Sequence, residues 1–267
     1  MSFLGLEGKT FVVTGVANKR SVAYHVARTL EAAGATVVYS VRTGARRDSL
    51  TGLLPDRQIH VCDVSQDDQI AALAETIGAS HPKIDGLLHA VAFANYETFS
   101  GTFHEVSRED FLQCVSVSCY SLIALSRALK PLFSDRASVV TISISTTRMA
   151  VESYGYMAPA KAALDSSLAF LAKSFSRDSR VRFNAVCAGL LKTSASAGIP
   201  GYVDHYMFAE QVTLRKQAVQ TQEVADTVFS YIQGYAGYGF CEAHAAAFGD
   251  TAYKTAYLLR HYPAHFY

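Results

Sequence analysis

The sequence predicts an α/β fold: a doubly wound parallel sheet of Rossmann type with helices on both faces. Three observations predict it. Short β-rich runs alternate with segments of helical period as far as residue 187. The runs are unbroken apolar stretches, as expected of strands covered on both faces. The chain has 267 residues, half of them hydrophobic, which suits one domain with a large core.

The first strand is expected over Lys9–Thr14 and ends at Gly15. Ser21–Ala33 follows with apolar residues at Val22, Val26, Ala27 and Leu30, a helical period stopped by Gly34. Strands two and three are expected at Thr36–Val41 and Gln58–Cys62, and a helix near Gln66–Ile77. The fourth strand is read over Ile84–Ala92, a long helix over Arg108–Leu132, and the fifth strand over Ala137–Ser145. A second long helix is expected from about Tyr154 to Phe175, and a sixth strand over Val181–Cys187. Such alternation implies βαβ crossovers and a parallel sheet.

Composition excludes several functions. The 24 basic and 23 acidic side chains leave a net charge of +1, which gives no electrostatic case for nucleic acid or an anionic membrane. No membrane span is expected, and the opening Met1–Glu7 lacks the pattern of a signal peptide. A cytoplasmic protein is therefore expected. The five cysteines (62, 114, 119, 187 and 241) form no CxxC pair, and their odd count argues against a disulfide framework. No metal site is expected.

Three segments carry chemistry. The first strand runs through Gly15 into a helix beginning near Ser21, and a strand, tight turn and helix N-terminus can cradle a phosphate. The glycines of the usual G-x-G-x-x-G motif are absent after Gly15, so a plain βα connection would read the same way. The second strand ends without the acidic residue that holds an NAD ribose. Arg42, Arg46 and Arg47 stand there instead, which suits a 2′-phosphate and hence NADPH, although a solvated basic loop is the alternative. Tyr154 and Lys161 are seven residues apart. On a helix that spacing is nearly two turns and puts both on one face, where the lysine could favour charge on the tyrosine oxygen. Such a pair is also common on ordinary helix surfaces.

Together these motifs resemble those of the enoyl-acyl-carrier-protein reductases of bacterial fatty-acid synthesis, a divergent branch of the short-chain dehydrogenase/reductases. Residues 15–23, GVANKRSVA, look like the family's G-x5-S-x-A cofactor loop. Cys62-Asp63-Val64 looks like its adenine-contacting segment, and His89–Asn95 like the loop between cofactor and substrate. Tyr154-x6-Lys161 has the family's catalytic spacing; the shorter Y-x3-K of the wider superfamily would need a tyrosine where Met157 stands. Ala188–Ile199 resembles the nicotinamide turn and the start of a mobile substrate loop near 190–212.

The resemblance implies hydride addition to the β-carbon of an enoyl thioester carried on acyl-carrier protein or coenzyme A. Tyr154 would stabilise the enolate oxygen and Lys161 would hold the cofactor ribose. Gly15, Ser21, Val22, Asp63, Val64, Ala92, Leu191 and Thr193 would contact NADPH, with Arg42 and Arg46 at its phosphate and NADH as a possible substitute. Phe93, Ala94, Ile144, Ala195 and Ile199 would line the substrate pocket beside Tyr154. A homotetramer is implied.

Two departures from the family pattern stand out. Many members carry a second aromatic ten residues before the catalytic tyrosine, where this chain has Ile144. The tail, residues 231–267, holds ten tyrosines and phenylalanines, and its Gly239–His244 only loosely echoes the family's C-terminal motif. His244 reads as structural. So aromatic a tail is expected to pack on the domain or between subunits. Two other functions therefore stay open: a reductase of a ketone or conjugated alkene, and a non-catalytic dinucleotide-binding protein.

Overall fold

A computed structural model describes residues 5–97, 102–145, 147, 150 and 154–233. Backbone contacts divide the chain into a unit of residues 1–232 and a second of 233–267. The first is the α/β unit described below. Of the aromatic tail, only its first three residues, 231–233, are described, in the last helix, and His244 lies outside the described residues.

Among the described residues the strands are β1 (Thr10–Thr14), β2 (Thr36–Val41), β3 (Ile59–Val61), β4 (Ile84–His89), β5 (Phe133–Ile144) and β6 (Arg182–Ala188). All pair in parallel in the order β3-β2-β1-β4-β5-β6. The sheet expected from the sequence is therefore present. Its order reverses between β1 and β4, the switch point at which open α/β sheets bind ligands. Among the described residues the α-helices are α1 (Val22–Ala32), α2 (Gly44–Leu50), α3 (Asp67–Ser80), α4 (Arg108–Val115), α5 (Ser121–Leu129), α6 (Met157–Phe175), α7 (Tyr202–Val212) and α8 (Thr221–Gln233).

Two hydrophobic clusters cover the two sheet faces. On one, Val26 and Leu30 of α1 and Val224 and Val228 of α8 pack with Phe11, Val13, Val37 and Tyr39. On the other, Ile70 and Ile77 of α3, Leu122, Leu125 and Leu129 of α5 and Leu164 of α6 pack with Val12, Val38, Leu87 and Val139. Each fully buried leucine contributes roughly 1.5–3 kcal/mol.

The structure corrects several expected boundaries. β4 ends at His89 rather than Ala92, and β5 begins at Phe133. The short α2 was not expected; Thr43 caps it by accepting a bond from the Arg46 amide. Arg108–Leu132 is helical throughout, but it passes through a π segment at Ser116–Tyr120 and ends in a 3₁₀ turn. By length and mean hydropathy this stretch could cross a membrane, contrary to the expectation from the sequence. Half of its most apolar window is buried inside the protein, where Leu122, Leu125 and Leu129 pack on the sheet. Tyr154 is not helical: α6 starts only at Met157, so the shared helix face inferred for Tyr154 and Lys161 does not exist. The intervening Gly155 has φ +54°, a left-handed turn that a continuous helix would not contain.

Candidate active site

Each chemically suggestive residue follows the C-terminal end of a strand. Gly15 follows β1 with φ +87°, and a Cβ there would lie 2.0 Å from the Ala90 carbonyl oxygen. Only glycine fits that approach between the β1 and β4 ends. The Thr14 hydroxyl donates to the Leu88 carbonyl at 3.0 Å and accepts from the Ala90 amide at 3.3 Å, tying the same two ends together.

The loop after Gly15 is shaped by Ser21. Its hydroxyl accepts from the amides of Ala17 and Asn18 at 3.0 and 3.1 Å and does not cap α1. The N-terminus of α1 is thus left without a side-chain cap, and its dipole end is positive. Asn18 accepts from the Arg20 amide, and its Nδ2 donates to the Ser194 hydroxyl at 2.7 Å.

The three arginines differ in their surroundings. Arg46 reaches back from α2 and donates to the Ala17 carbonyl at 3.3 Å, so it borders the loop after β1. Arg42 is exposed immediately after β2. Arg47 is paired with Asp48 at 3.0 Å. At the end of β3, Asp63 is held by Ser65, whose amide and hydroxyl both donate to Oδ1, while Val64 is buried. Uncapped amides, two arginines and an oriented carboxylate form a donor and acceptor set that fits a phosphorylated dinucleotide.

The lysine is deeply placed. Lys161 is 5% exposed and its Nζ donates to the Ile142 carbonyl at 2.8 Å. Burial lowers its pKa to about 8. Behind it, His89 is fully buried, with Nδ1 2.8 Å from the Thr141 hydroxyl and Nε2 2.7 Å from that of Ser121. Burial, and then the charge of Lys161, push this histidine down to about 3, so it is neutral.

Tyr154 is half-buried, and its pKa is raised above the usual phenol value, first by burial and then by Cys114 and Tyr202. Lys161 is not among the groups that shift it, so the coupling read from their spacing is not seen. The phenol stays protonated and is a hydrogen-bond donor. Ile144 is half-buried at the end of β5 and pairs with Ala188.

After β6 the chain forms a compact turn. The Ser196 hydroxyl accepts from the Thr193 amide at 2.9 Å, and the Ser196 amide donates to the Thr193 hydroxyl at 3.2 Å, a reciprocal capping arrangement. Tyr202, the first residue of α7, is buried and donates to the Leu191 carbonyl. Leu191 and Thr193 are thus held in one turn. Ala195 and Ile199 border the 3₁₀ turn Ser196–Gly198, and no hydrogen bond among the described residues joins either to Tyr154.

A model of the family described as "Enoyl-(Acyl carrier protein) reductase" matches residues 15–238. The chain belongs to the enoyl-(acyl carrier protein) reductase family. A curated relative from Enterococcus faecalis, enoyl-[acyl-carrier-protein] reductase [NADH] FabI, is 35% identical over 83% of this chain and 89% of its own. The [NADPH] FabI of Staphylococcus aureus strain MRSA252 is 35% identical over 84% and 89%. Among solved structures, the Aquifex aeolicus enoyl-[acyl-carrier-protein] reductase (NADH) gives a TM-score of 0.81 at 32% identity, covering 86% of this chain and 91% of that one. The Bacillus cereus reductase solved with NADP+ and indole naphthyridinone gives 0.79 at 31% identity, covering 85% and 90%.

For this enoyl reductase family member, the fold gathers Ser21, Arg46, Leu191 and Thr193 through the bonds given above, and Gly15 through its close approach to Ala90. Val22, Asp63, Val64, Ala92, Phe93 and Ala94 are placed at or just beyond the same strand ends. Sequence reasoning missed four contributors: Asn18, Tyr96, Ser196 and Tyr202. The first three are polar or aromatic residues in loops or, for Ser196, a single 3₁₀ turn, where no periodicity marks them. Tyr202 opens an unpredicted helix.

Proposed function

We propose that this chain reduces the 2,3-double bond of an enoyl thioester with NADPH, in reactions of the fatty-acid synthesis type. The relatives support nicotinamide-dependent oxidoreduction but divide between NADH and NADPH. The choice of NADPH rests on this chain's own arginines. The single observation that carries the reading is the protonated Tyr154 hydroxyl, at the family's spacing from buried Lys161, in a chain the family matches over residues 15–238.

The residues divide the work. The α1 N-terminus and Ser21 loop would take the pyrophosphate, and Arg42 and Arg46 the 2′-phosphate. Asp63 and Val64 would border the adenine, and Leu191 and Thr193 the nicotinamide end. When bound, the dinucleotide supplies the hydride that reaches the β-carbon. Lys161 would hold ribose hydroxyls from its buried position. Tyr154 would donate to the thioester oxygen, with a stronger bond as that oxygen becomes the enolate. The α-carbon then takes a proton to complete the saturated thioester. The half-buried Tyr154 and the Phe93–Ala94 loop would limit water at the reacting atoms.

Ile144 favours a second reading, reduction of a ketone or conjugated alkene, because an alkyl group offers the substrate no hydrogen bond where many family members carry an aromatic residue. With half of its most apolar window buried inside the protein, we read the chain as a soluble, cytoplasmic enzyme. A homotetramer follows from the family resemblance and is checked by sedimentation. The deciding experiment follows NADPH and NADH oxidation spectrophotometrically with crotonyl thioesters and a panel of ketones. Turnover of the thioester supports the first reading; turnover of ketones alone eliminates it.

A further inference from the structure

Tyr154 precedes α6 on a left-handed turn, so no helical hydrogen-bond ladder fixes it. Its carbonyl accepts from the Met157 amide at 3.4 Å, a long contact for a residue that must aim a hydroxyl. Two other tyrosines close on this turn. Tyr156 is 1% exposed and its hydroxyl donates to the Asn95 carbonyl at 2.8 Å. Tyr96 donates its hydroxyl to the Tyr154 carbonyl at 3.3 Å. The Tyr96 and Tyr156 rings are stacked, with centroids 6.5 Å apart and planes 28° from parallel.

The pattern is reciprocal. A tyrosine on the loop after β4 holds a carbonyl on the turn before α6, and a tyrosine on that turn holds a carbonyl on the loop. The loop is anchored in its own right. The Ser118 hydroxyl accepts from the Phe93 amide at 2.9 Å and donates to the Phe93 carbonyl at 3.1 Å. Asn95 donates to Asp110 at 3.1 Å, and the Asp110 amide is capped by Ser107. Cys114, Met157 and Ala160 pack around Tyr156, with Ala94 and Tyr154 against them.

We propose that Tyr96 and Tyr156 are positioning residues that set the Tyr154 hydroxyl relative to the Phe93–Ala94 loop, and so relative to the substrate oxygen. The inference rests on the reading of Tyr154 as the oxyanion donor. Neither tyrosine touches the reacting atoms; each acts through the backbone of the opposite segment. The work falls to them because a turn outside the helix has to be aimed by bonds from elsewhere. A displacement of about 1 Å in such a group can cost on the order of a hundredfold in rate.

The test compares Tyr96→Phe, Tyr156→Phe, their double variant and Tyr154→Phe. The assay uses NADPH and crotonyl-coenzyme A or, if the wild type turns it over faster, a ketone of the panel. NADPH affinity is measured separately by fluorescence titration. The expected result is a kcat about 3- to 30-fold lower in each single variant, with NADPH affinity within about twofold. The double variant should lose less than the product of the singles, because either change releases the same turn. Matched losses of kcat and NADPH affinity would indicate general loosening and overturn the proposal. So would unchanged kcat in Tyr96→Phe while Tyr154→Phe loses activity, with the role of Tyr154 standing. Full activity in Tyr154→Phe would overturn both. If Tyr156→Phe fails to fold, Tyr96→Phe decides, since that residue is only half-buried.

Discussion

Asn18 and Ser194, 176 residues apart in sequence, are joined by a hydrogen bond of 2.7 Å between Nδ2 and the hydroxyl oxygen. The bond ties the loop after β1 to the turn after β6. In the proposed reading the two segments meet the pyrophosphate and the nicotinamide of one dinucleotide, and the bond would preorganise both ends of that site.

Ser194→Ala should therefore weaken NADPH more than it slows turnover. A neutral hydrogen bond at a largely exposed position contributes about 0.5–1.5 kcal/mol, so the NADPH KM should rise about 2- to 10-fold with kcat little changed. Hydrogen exchange of the 193–199 amides should quicken in the same variant. Unaltered exchange and KM would mean that the contact organises nothing. Ser194 is the cleaner choice, because Asn18 also accepts from the Arg20 amide.

Cofactor choice can be dissected among the arginines. Arg42→Ala should raise the NADPH KM and leave that for NADH nearly unchanged, since only one of the two carries a 2′-phosphate. Arg46→Ala should weaken both, because its guanidinium also holds the Ala17 carbonyl. Arg47→Ala should be nearly silent, its charge being met by Asp48. Equal effects of Arg42→Ala on the two cofactors would remove that residue from phosphate recognition.

How far these roles were legible in the sequence depends on the kind of order involved. The sheet was readable because Thr36–Val41 and its counterparts are rich in β-branched and apolar residues, and five of the six residues of Thr36–Val41 are buried, as coverage of both faces demands. Ser21 and the Tyr154–Lys161 spacing were readable as motifs. The turn before α6 was not: nothing in Tyr154-Gly155-Tyr156 announces that the helix begins only at Met157, since glycine sits in helix interiors at a cost of only about 1 kcal/mol. Nor could Tyr96 be linked to Tyr156, because side-chain bonds between a loop and a turn 60 residues on have no period. α2 escaped notice for a related reason: its seven residues bury only Leu50, leaving no apolar stripe to read.

His89 makes stability depend on acid. It lies on β4, facing Thr141 on β5, Ser121 on α5 and the charge of Lys161 on α6. Its folded pKa of about 3 lies below the ordinary 6.5, so between those values only the unfolded chain takes up the proton. Stability should therefore fall as pH drops from 6.5, by at most about 1.4 kcal/mol per pH unit from this group. Urea unfolding at pH 6.5, 5.5 and 4.5 measures the slope. His89→Gln keeps a hydrogen-bonding side chain and removes the titration, so its slope should be shallower. An unchanged slope would place the acid sensitivity in other groups.

Tyr154 and Lys161 should separate chemistry from binding. Tyr154→Phe keeps the ring that packs against Tyr156 and Met157 and removes only a hydroxyl that stays protonated in the free protein. Because the enolate oxygen is more basic than the thioester oxygen, that hydroxyl contributes more in the transition state. The variant should lose roughly 10- to 1000-fold in kcat with little change in thioester KM. Lys161 sits in surroundings that disfavour its charge, as its lowered pKa records. Lys161→Met fills the same space without a buried amine, so NADPH affinity should fall while the unfolding temperature stays level or rises. A Lys161→Met protein that melts much earlier yet binds NADPH normally would make the lysine a structural residue. A Tyr154→Phe protein that changes KM but not kcat would move the tyrosine from stabilising the enolate to simple binding.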